Sequence, residues 1–438
     1  MIDKFKKFWK RLGPGLITGA SDDDPSGIIS YSIAGVKYGF TSLWTMLFIL
    51  PLMIVIQEMS ARIGLSSSCG LAGNIKRHYS KLLLVFISTL IIVSNVFNIG
   101  ADIYGMAAAV ELLLPGSTKV WSLIIILFMI FLVVKLPYRK IVAIFKWLAV
   151  SLLAYVLAGV LFIHDWPEVI RNTFIPTFQW DYGYLIIIMA IFGTTISPYL
   201  AFWQASEEAE EERIKRGNTD GKFMCEFKTI TRYELRRAME DTKIGMVFSN
   251  LVGFFIIALT ASVLFSAGIK NIETIQEAAE ALRPLAGDYA YLLFTLGIIS
   301  SGLLAIPILA GSSAYVMAEI FNWKASLDRP FSKAKEFYIV IIIATALGML
   351  MPFFGIGPVK ALFWTAIIHA IVAPFLIITL IHMANNPLIV GPNVNKKYTN
   401  YIAYITLVIM LLIGLVFIIA ELPFPTEMKA LIYSVFPK

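Results

Sequence analysis

The sequence predicts an all-α membrane protein with a single domain, residues 1–438, because two observations exclude a water-soluble fold. Hydrophobic residues make up 58% of the chain, and the mean hydropathy is +0.78. Apolar stretches close to the length of about 20 residues that crosses a bilayer recur along the sequence. Backbone polar groups in lipid need partners within their own segment, which favours helices. We predict about eleven transmembrane helices, over residues 12–38, 43–63, 83–113, 120–134, 141–163, 184–206, 244–267, 288–319, 337–354, 358–384 and 401–420.

Basic residues indicate how the chain is inserted. Most of the 36 Lys and Arg residues fall on the side of the membrane that holds the N-terminus. Cytoplasmic segments carry an excess of Lys and Arg, so we predict a cytoplasmic N-terminus and an external C-terminus. The chain is expected to be an uncleaved, multi-pass, monomeric protein of the plasma membrane. The net charge of +7 reflects this orientation and does not indicate binding to nucleic acid.

Two segments outside the spans are predicted to form amphipathic helices. Residues 2–12 suit a short helix at the membrane interface, and residues 227–243 suit a helix on the cytoplasmic membrane surface. Cys69 and Cys225 fall in predicted cytoplasmic connections, where thiols stay reduced, so no structural disulfide is expected. The chain has no Cys/His cluster with zinc spacing, and we expect no cofactor.

Two of the predicted spans contain a proline among small polar residues. The first contains Pro25, within residues 21–27, and the second contains Pro198, within residues 193–199. Proline removes a backbone donor and clashes with the preceding turn, so each helix should break there and leave carbonyls free. Paired broken helices at matching places in two halves are typical of transporter substrate sites.

The spacing of the two prolines predicts an internal repeat. They are separated by five spans, and an odd number of spans inverts the second copy relative to the first. The two breaks would then face each other at the centre of the membrane. We predict a first repeat over residues 12–163, a second over residues 184–384, and an extra helix over residues 401–420.

Three consecutive aspartates at the first break indicate a cation site. An ionised carboxylate within a span is unfavourable by several kcal/mol unless it is paired or binds an ion. Asp24 adjoins Pro25 and is therefore the central candidate, with a helix cap or salt bridge as the structural alternative. Successive helical positions point about 100° apart, so Asp22 and Asp23 could each line the pathway or face away from it.

These motifs resemble the NRAMP family of divalent-metal transporters. The family has Asp-Pro-Gly-Asn in its first helix and Ala-Thr-Val-Met-Pro-His in its sixth. The resemblance covers residues 12–420 and implies an eleven-helix, leucine-transporter-type fold with a 5+5 inverted repeat and broken first and sixth helices. The residues that carry it are Gly13-Pro14-Gly15, Asp24-Pro25-Ser26-Gly27, residues 194–199, residues 296–302 through 318–321, and residues 373–375.

The departures from the family motif concern the metal ligands. Asp24 matches, but the ligand asparagine becomes Gly27 and the ligand methionine becomes Ser197. A thioether is a soft ligand, so its loss leaves oxygen donors, including the carbonyl of Thr194. Mg²⁺ dehydrates reluctantly and is held by one or two carboxylates with several waters retained. This pattern resembles the NRAMP-related magnesium transporter branch.

Other departures concern groups that could carry protons. Where the family has two acids in its third helix, this chain has Ile99 and Asp102. Where the family has two histidines in its sixth helix, this chain has Tyr199 and Gln204. A glutamine of the tenth helix is replaced by Ala366. Groups that titrate near neutral pH relay protons, so their loss predicts transport without proton coupling.

Several site assignments keep a structural alternative. The Ser197 hydroxyl could bind the ion or bond back to its own helix. Gln204 could bond ion-bound water, and Asp102 could be functional or a buried polar partner. His369 could line the pathway or be a satisfied core histidine.

We therefore predict import of hydrated Mg²⁺, and also Mn²⁺, by alternating access without proton coupling. The alternative is a proton-coupled Mn²⁺ or Fe²⁺ importer of the main NRAMP branch. An amino-acid carrier is disfavoured, since three aspartates repel a substrate carboxylate. A membrane receptor lacks a sizeable soluble domain, and no nucleophile–base arrangement or Walker motif indicates an enzyme.

Overall fold

The computed structural model describes residues 18–19, 21–136, 152–217, 225, 227 and 229–421, and every regular element in them is helical. The predicted interfacial helix over residues 2–12 and the Gly13-Pro14-Gly15 motif lie outside these ranges. The main helices are α1 (Pro25–Tyr38), α2 (Leu43–Ser67), α3 (Leu71–His78), α4 (Lys81–Glu111), α5 (Thr118–Lys135), α6 (Leu153–Phe162), α7 (Trp166–Phe174), α8 (Tyr182–Thr195), α9 (Pro198–Lys215), α10 (Arg232–Thr260), α11 (Ile275–Ala279), α12 (Ala290–Phe321), α13 (Lys335–Leu347), α14 (Pro358–Ala384) and α15 (Lys397–Glu421).

Nine helical segments of the described chain are long and apolar enough to cross a membrane, or ten if the bent pair α6 and α7 forms one span. The prediction was about eleven, and the difference has two causes. Helices α1 and α2 are joined by a 3₁₀ turn, Gly39–Ser42, and count as one segment. The start of the first predicted span and residues 141–151 of the fifth lie outside the described ranges.

The predicted surface helix over residues 227–243 is wrong in its boundaries and in its independence. Helix α10 begins at Arg232, after a capping box in which Thr231 and Glu234 exchange hydrogen bonds. It then continues without interruption into the seventh span and ends in a π turn, Ala261–Phe265. The amphipathic residues are therefore the polar end of a long helix, because the capping signal at Thr231 starts α10 well before the apolar run.

The expectation for the two cysteines is also wrong, because the structure joins Cys69 and Cys225 by a disulfide. Cys69 follows α2, and Cys225 lies between α9 and α10. The two segments pack together although they are 156 residues apart in the chain. Separation in sequence gave no indication of this contact.

Large apolar side chains cover the outer face of the bundle. Such a surface is expected where lipid replaces water as the surrounding solvent. On α5, for example, the exposed residues are Val120, Leu123, Ile124, Leu127, Phe128 and Phe131.

The helices that flank the two predicted breaks lie at the centre of the bundle. Helix α1 packs against α8, α10 and α14, and it also contacts α4 and α12. Helix α9 packs against α2 and α12, while α8 packs against α14. The segments flanking Pro25 and Pro198 are therefore enclosed by helices on all sides.

Candidate functional site

The first break lies where the sequence predicts it. Asp22 is the last helical residue before the break, Asp23 and Asp24 are not helical, and α1 begins at Pro25. Asp24 is the N-cap residue of α1, with φ −68° and ψ 170°, and its Oδ1 accepts a hydrogen bond from Gly27 N at 2.7 Å. The cap alternative is thus confirmed, and it places a carboxylate at the positive end of a helix dipole.

The second break has the same construction. Helix α8 ends at Thr195, Ile196 and Ser197 form the interruption, and α9 begins at Pro198. The Ser197 hydroxyl donates a hydrogen bond to the carbonyl oxygen of Thr194. Ser197 therefore bonds back to the backbone in this conformation, and both oxygens lie at the end of α8.

The two breaks lie against each other. A Cβ atom added at Gly27 would lie 3.0 Å from Thr194 Oγ1 and 3.5 Å from Asp24 Oδ1. The absence of a side chain at Gly27 therefore lets the two breaks approach closely, because an added Cβ would press on Thr194. The structure thus brings together Asp24, Gly27, Thr194 and Ser197, the four predicted metal-site residues.

Two tyrosines hold the broken helices together in a reciprocal arrangement. Tyr199, near the start of α9, donates a hydrogen bond to the carbonyl of Ser21 at 3.0 Å. The hydroxyl of Tyr31, on α1, lies 2.9 Å from Thr195 Oγ1 at the end of α8. Each broken helix thus contributes a tyrosine that bonds the other one beside its break.

Asn98 on α4 also binds the Asp24 carboxylate, and the sequence alone did not identify it. Its Nδ2 donates a hydrogen bond to Asp24 Oδ2 at 2.9 Å, while Ser26 Oγ donates to Asp24 Oδ1 at 2.6 Å. Asn98 is fully buried and Asp24 is 2% exposed. The polar spacing Asn95, Asn98, Asp102 on one face of an apolar helix is the signal that could have identified it.

Asp22 and Asp23 both contact Ser249 on α10. Ser249 Oγ lies 2.8 Å from Asp22 Oδ2 and 3.2 Å from Asp23 Oδ1. Both aspartates are fully buried, and their remaining oxygens, Asp22 Oδ1 and Asp23 Oδ2, have no hydrogen-bond partner. Such groups are unfavourable in a dry interior unless a cation, a proton or water satisfies them.

Asp102 and His369 are buried polar residues beside the breaks. The Asp102 carboxylate lies near the backbone amide of Ser26, but neither of its oxygens makes a hydrogen bond of good geometry. The His369 ring packs against Tyr199, with centroids 5.6 Å apart, and neither ring nitrogen has a partner. His369 is therefore not a satisfied core histidine.

Gln204 lies farther along α9 than the other predicted residues. Its Oε1 accepts a hydrogen bond from Thr18 Oγ1 at 2.5 Å, and its Nε2 donates to Glu208 Oε1 at 2.9 Å. These contacts connect the segment before the first break with the far part of α9. The structure does not bring Gln204 to Asp24.

Cavities lie on opposite sides of the paired breaks, which are themselves closed. Helix α8 leads into the second break and α9 leads away from it, and each helix borders one cavity. A cavity of about 560 Å³ is lined in part by Ile33, Lys37, Ile187, Asn271, Glu273 and Lys360. A cavity of about 250 Å³ is lined in part by Leu65, Glu208, Glu211, Lys215, Thr231 and Asp241.

The donors at the paired breaks are mainly oxygen atoms. Over the described ranges, no group of three His, Cys, Asp or Glu side chains is arranged to hold a metal ion. The site instead offers the Asp24 carboxylate, backbone and hydroxyl oxygens, and further buried oxygens without partners. Oxygen ligands are those that Mg²⁺ and Mn²⁺ accept.

The position of the second break depends on close packing at Gly193. A Cβ atom at Gly193 would lie 1.9 Å from the carbonyl oxygen of Ala366 on α14, which is a backbone atom that cannot rotate away. We expect Gly193→Ala to destabilise the protein by about 1–3 kcal/mol. Gly414→Ala on α15 is the matched control, because nothing lies within 4 Å of its added Cβ. Thermal unfolding followed by tryptophan fluorescence should show a lower melting temperature for the first variant alone.

Comparisons with known proteins identify the family of this chain and its fold. Residues 15–420 match the family model described as natural resistance-associated macrophage protein-like. The divalent metal cation transporter MntH of Staphylococcus aureus (strain JH9) is 25% identical, over 95% of this chain and 92% of the relative. A manganese transporter of Eremococcus coleocola superposes with a TM-score of 0.74 at 18% identity, covering 98% of this chain and 92% of that one. Mhp1, a nucleobase-cation-symport-1 family transporter, superposes with a TM-score of 0.54 at 13% identity, with coverages of 98% and 93%.

Proposed function

Because this chain belongs to the Nramp family of divalent metal transporters, and so is not an enzyme, we propose that it imports hydrated Mg²⁺, and also Mn²⁺, without proton coupling. Transport proceeds by alternating access. The paired breaks close around the ion between two cavities, and each cavity opens to one side of the membrane in turn.

The observation that carries this proposal is the position of Asp24. Its carboxylate lies where the two broken helices meet, on the N-terminus of α1, and three donors hold it in place: Ser26 Oγ, Gly27 N and Asn98 Nδ2. Oδ1 accepts two of these bonds and Oδ2 accepts one, which leaves Oδ2 with a lone pair for a cation. A fixed, buried carboxylate at the meeting point of two helix breaks is well placed to bind a cation at the centre of the membrane.

The preference for Mg²⁺ follows from the oxygen donors on the facing break. Thr194 and Ser197 offer hydroxyl and carbonyl oxygens, and Gly27 adds no side chain between the breaks. A site lined by oxygen and surrounded by buried acceptors, once the breaks open around the ion, favours an ion that keeps part of its water. Mg²⁺ behaves in this way more strongly than Mn²⁺. Uptake of Mg²⁺, Mn²⁺ and Ca²⁺ into liposomes by the purified protein tests this order.

We infer transport without proton coupling from the residues of this chain that replace the titratable acids and histidines of the family motif. Ile99 is apolar, the Tyr199 hydroxyl bonds Ser21, and Gln204 bonds Thr18 and Glu208. None of the three replacements exchanges a proton near pH 7. The divalent ion then carries its full charge, so an inside-negative potential should accelerate uptake, at about 2.3 kcal/mol per elementary charge per 100 mV.

The test is a pH-sensitive dye enclosed in proteoliposomes during Mg²⁺ uptake, with the potential clamped by K⁺ and valinomycin. We expect uptake with no change of internal pH. The control is Mg²⁺ addition to liposomes that contain the Asp24→Ala protein. Acidification that needs both Mg²⁺ and the unaltered protein would contradict the proposal.

A proton-coupled Mn²⁺ importer is the second candidate, and specific observations favour it. The relatives are named a divalent metal cation transporter and a manganese transporter. Asp102 and His369 are buried ionisable groups beside the breaks and have no hydrogen-bond partner of good geometry. Mn²⁺ uptake that persists under a large excess of Mg²⁺, together with acidification, would support this function instead. We further propose a cytoplasmic N-terminus, an external C-terminus and a monomeric protein.

A further inference from the structure

The face of α4 that borders the first break carries hydrogen-bond acceptors that are not used. Asn98 donates to Asp24 through Nδ2, yet its Oδ1 is buried and accepts no hydrogen bond. One turn farther along α4, Asp102 is fully buried near Ser26 and both its oxygens lack a partner of good geometry. The two residues are four positions apart and therefore lie on the same face of the helix.

An unpaired buried amide oxygen is unfavourable by a substantial free energy, so its position calls for a donor. Asn98 cannot satisfy its Oδ1 by rotating its amide, because Asp24 needs the Nδ2 donor. Oδ1 and Nδ2 belong to the same amide group, so Oδ1 lies close to Asp24 and its partner is expected there. An amide oxygen is satisfied either by coordinating a cation directly or by accepting a hydrogen bond from water bound to the cation, whose hydrogens point outward. Buried acceptors around one carboxylate can thus accept hydrogen bonds from the water molecules on the outside of a partly hydrated ion.

We propose that Asn98 determines the specificity of the cation site. This inference rests on the proposed function. Nδ2 orients the Asp24 carboxylate, and Oδ1, with Asp102 beside it, accepts hydrogen bonds from the water that the ion retains. Asn98 therefore acts on the ion through Asp24 and through water, and it favours Mg²⁺, which keeps its water, over Mn²⁺, which sheds water more readily.

Asn98→Ala tests the proposal through the ratio of Mg²⁺ to Mn²⁺ transport. Removing the outer partners of a metal site typically lowers metal affinity by about 10- to 100-fold. We expect the KM for Mg²⁺ to rise by about tenfold or more. The increase in the KM for Mn²⁺ should be several times smaller than the increase for Mg²⁺. Initial uptake into proteoliposomes at a series of concentrations gives both values. Calorimetric titration with MgCl₂ and MnCl₂ gives the affinities independently of transport.

Asn95→Ala is the matched control on the same helix. Asn95 Oδ1 is likewise buried without a partner, but Asn95 Nδ2 donates to the carbonyl of Leu309 and to Ser313 Oγ on α12 and not to Asp24. This variant should keep the ratio of the unaltered protein. Asn98→Ser retains one donor and one acceptor and should recover part of the Mg²⁺ preference. It also replaces Asn98→Ala in the test if the alanine variant does not fold.

The outcomes separate this inference from the proposed function. A folded Asn98→Ala protein with an unchanged ratio of Mg²⁺ to Mn²⁺ affinities would overturn the role of Asn98. The same holds if both affinities fall equally, since Asn98 would then only position Asp24. Failure of the unaltered protein to transport or bind Mg²⁺ would overturn the proposed function itself.

Discussion

Asp24→Ala is expected to abolish uptake of both Mg²⁺ and Mn²⁺. Asp24 is the carboxylate at the meeting point of the two breaks, and Ser26, Gly27 and Asn98 hold it there. A cation inside a membrane protein needs a countercharge worth several kcal/mol, and each 1.4 kcal/mol is a factor of ten. The loss of transport should therefore be about a hundredfold or more. Uptake of each ion into proteoliposomes measures it.

Two further variants separate charge from folding. Asp24 also caps α1, so its removal should destabilise the protein by about 0.5–2 kcal/mol. Asp24→Asn keeps a capping oxygen but not the charge, and it should fold and still fail to transport. Asp165→Ala removes the exposed N-cap of α7, whose Oδ1 accepts from Glu168 N, and should leave transport intact. Undiminished Mg²⁺ flux through folded Asp24→Ala would exclude Asp24 as the ligand.

The double variant Ser197→Met with Gly27→Asn is expected to shift preference toward Mn²⁺ and Cd²⁺. The methionine supplies a soft sulfur ligand, which favours these ions over Mg²⁺. It also removes the hydroxyl that now bonds the Thr194 carbonyl. A side chain at Gly27 projects between the breaks, where its Cβ would meet Thr194 Oγ1 at 3.0 Å, so the threonine must shift slightly. In competition experiments, the ratio of Mg²⁺ uptake to Mn²⁺ uptake should fall by about tenfold, which corresponds to about 1.4 kcal/mol.

Ser197→Ala is the control for the double variant. It removes the same hydroxyl without adding sulfur. It therefore distinguishes the effect of freeing the Thr194 carbonyl from the effect of adding a thioether ligand. We expect Ser197→Ala to retain the Mg²⁺ preference and the double variant to lose it. A Mg²⁺ preference that survives in the folded double variant would show that the hard-ligand argument is wrong.

Much of the fold was determined by the sequence alone. Length and spacing of apolar runs predicted the helices, because lipid leaves the backbone no other way to satisfy its polar groups. The breaks at Pro25 and Pro198 followed from a missing backbone donor and a local clash, and the structure confirms both. Asp24 could be identified as the central residue because its chemistry and its proline neighbour are both local features.

The tertiary structure decided which side chains meet. Asn98, the partner of Asp24, is 74 positions away on α4, and Ser249 reaches Asp22 from α10 across 227 positions. The disulfide between Cys69 and Cys225 arises from the same kind of distant packing. Local chemistry in a sequence reveals where a helix must break and which group is charged. The partners of that charge depend on how helices far apart in the chain pack together, which no local pattern encodes.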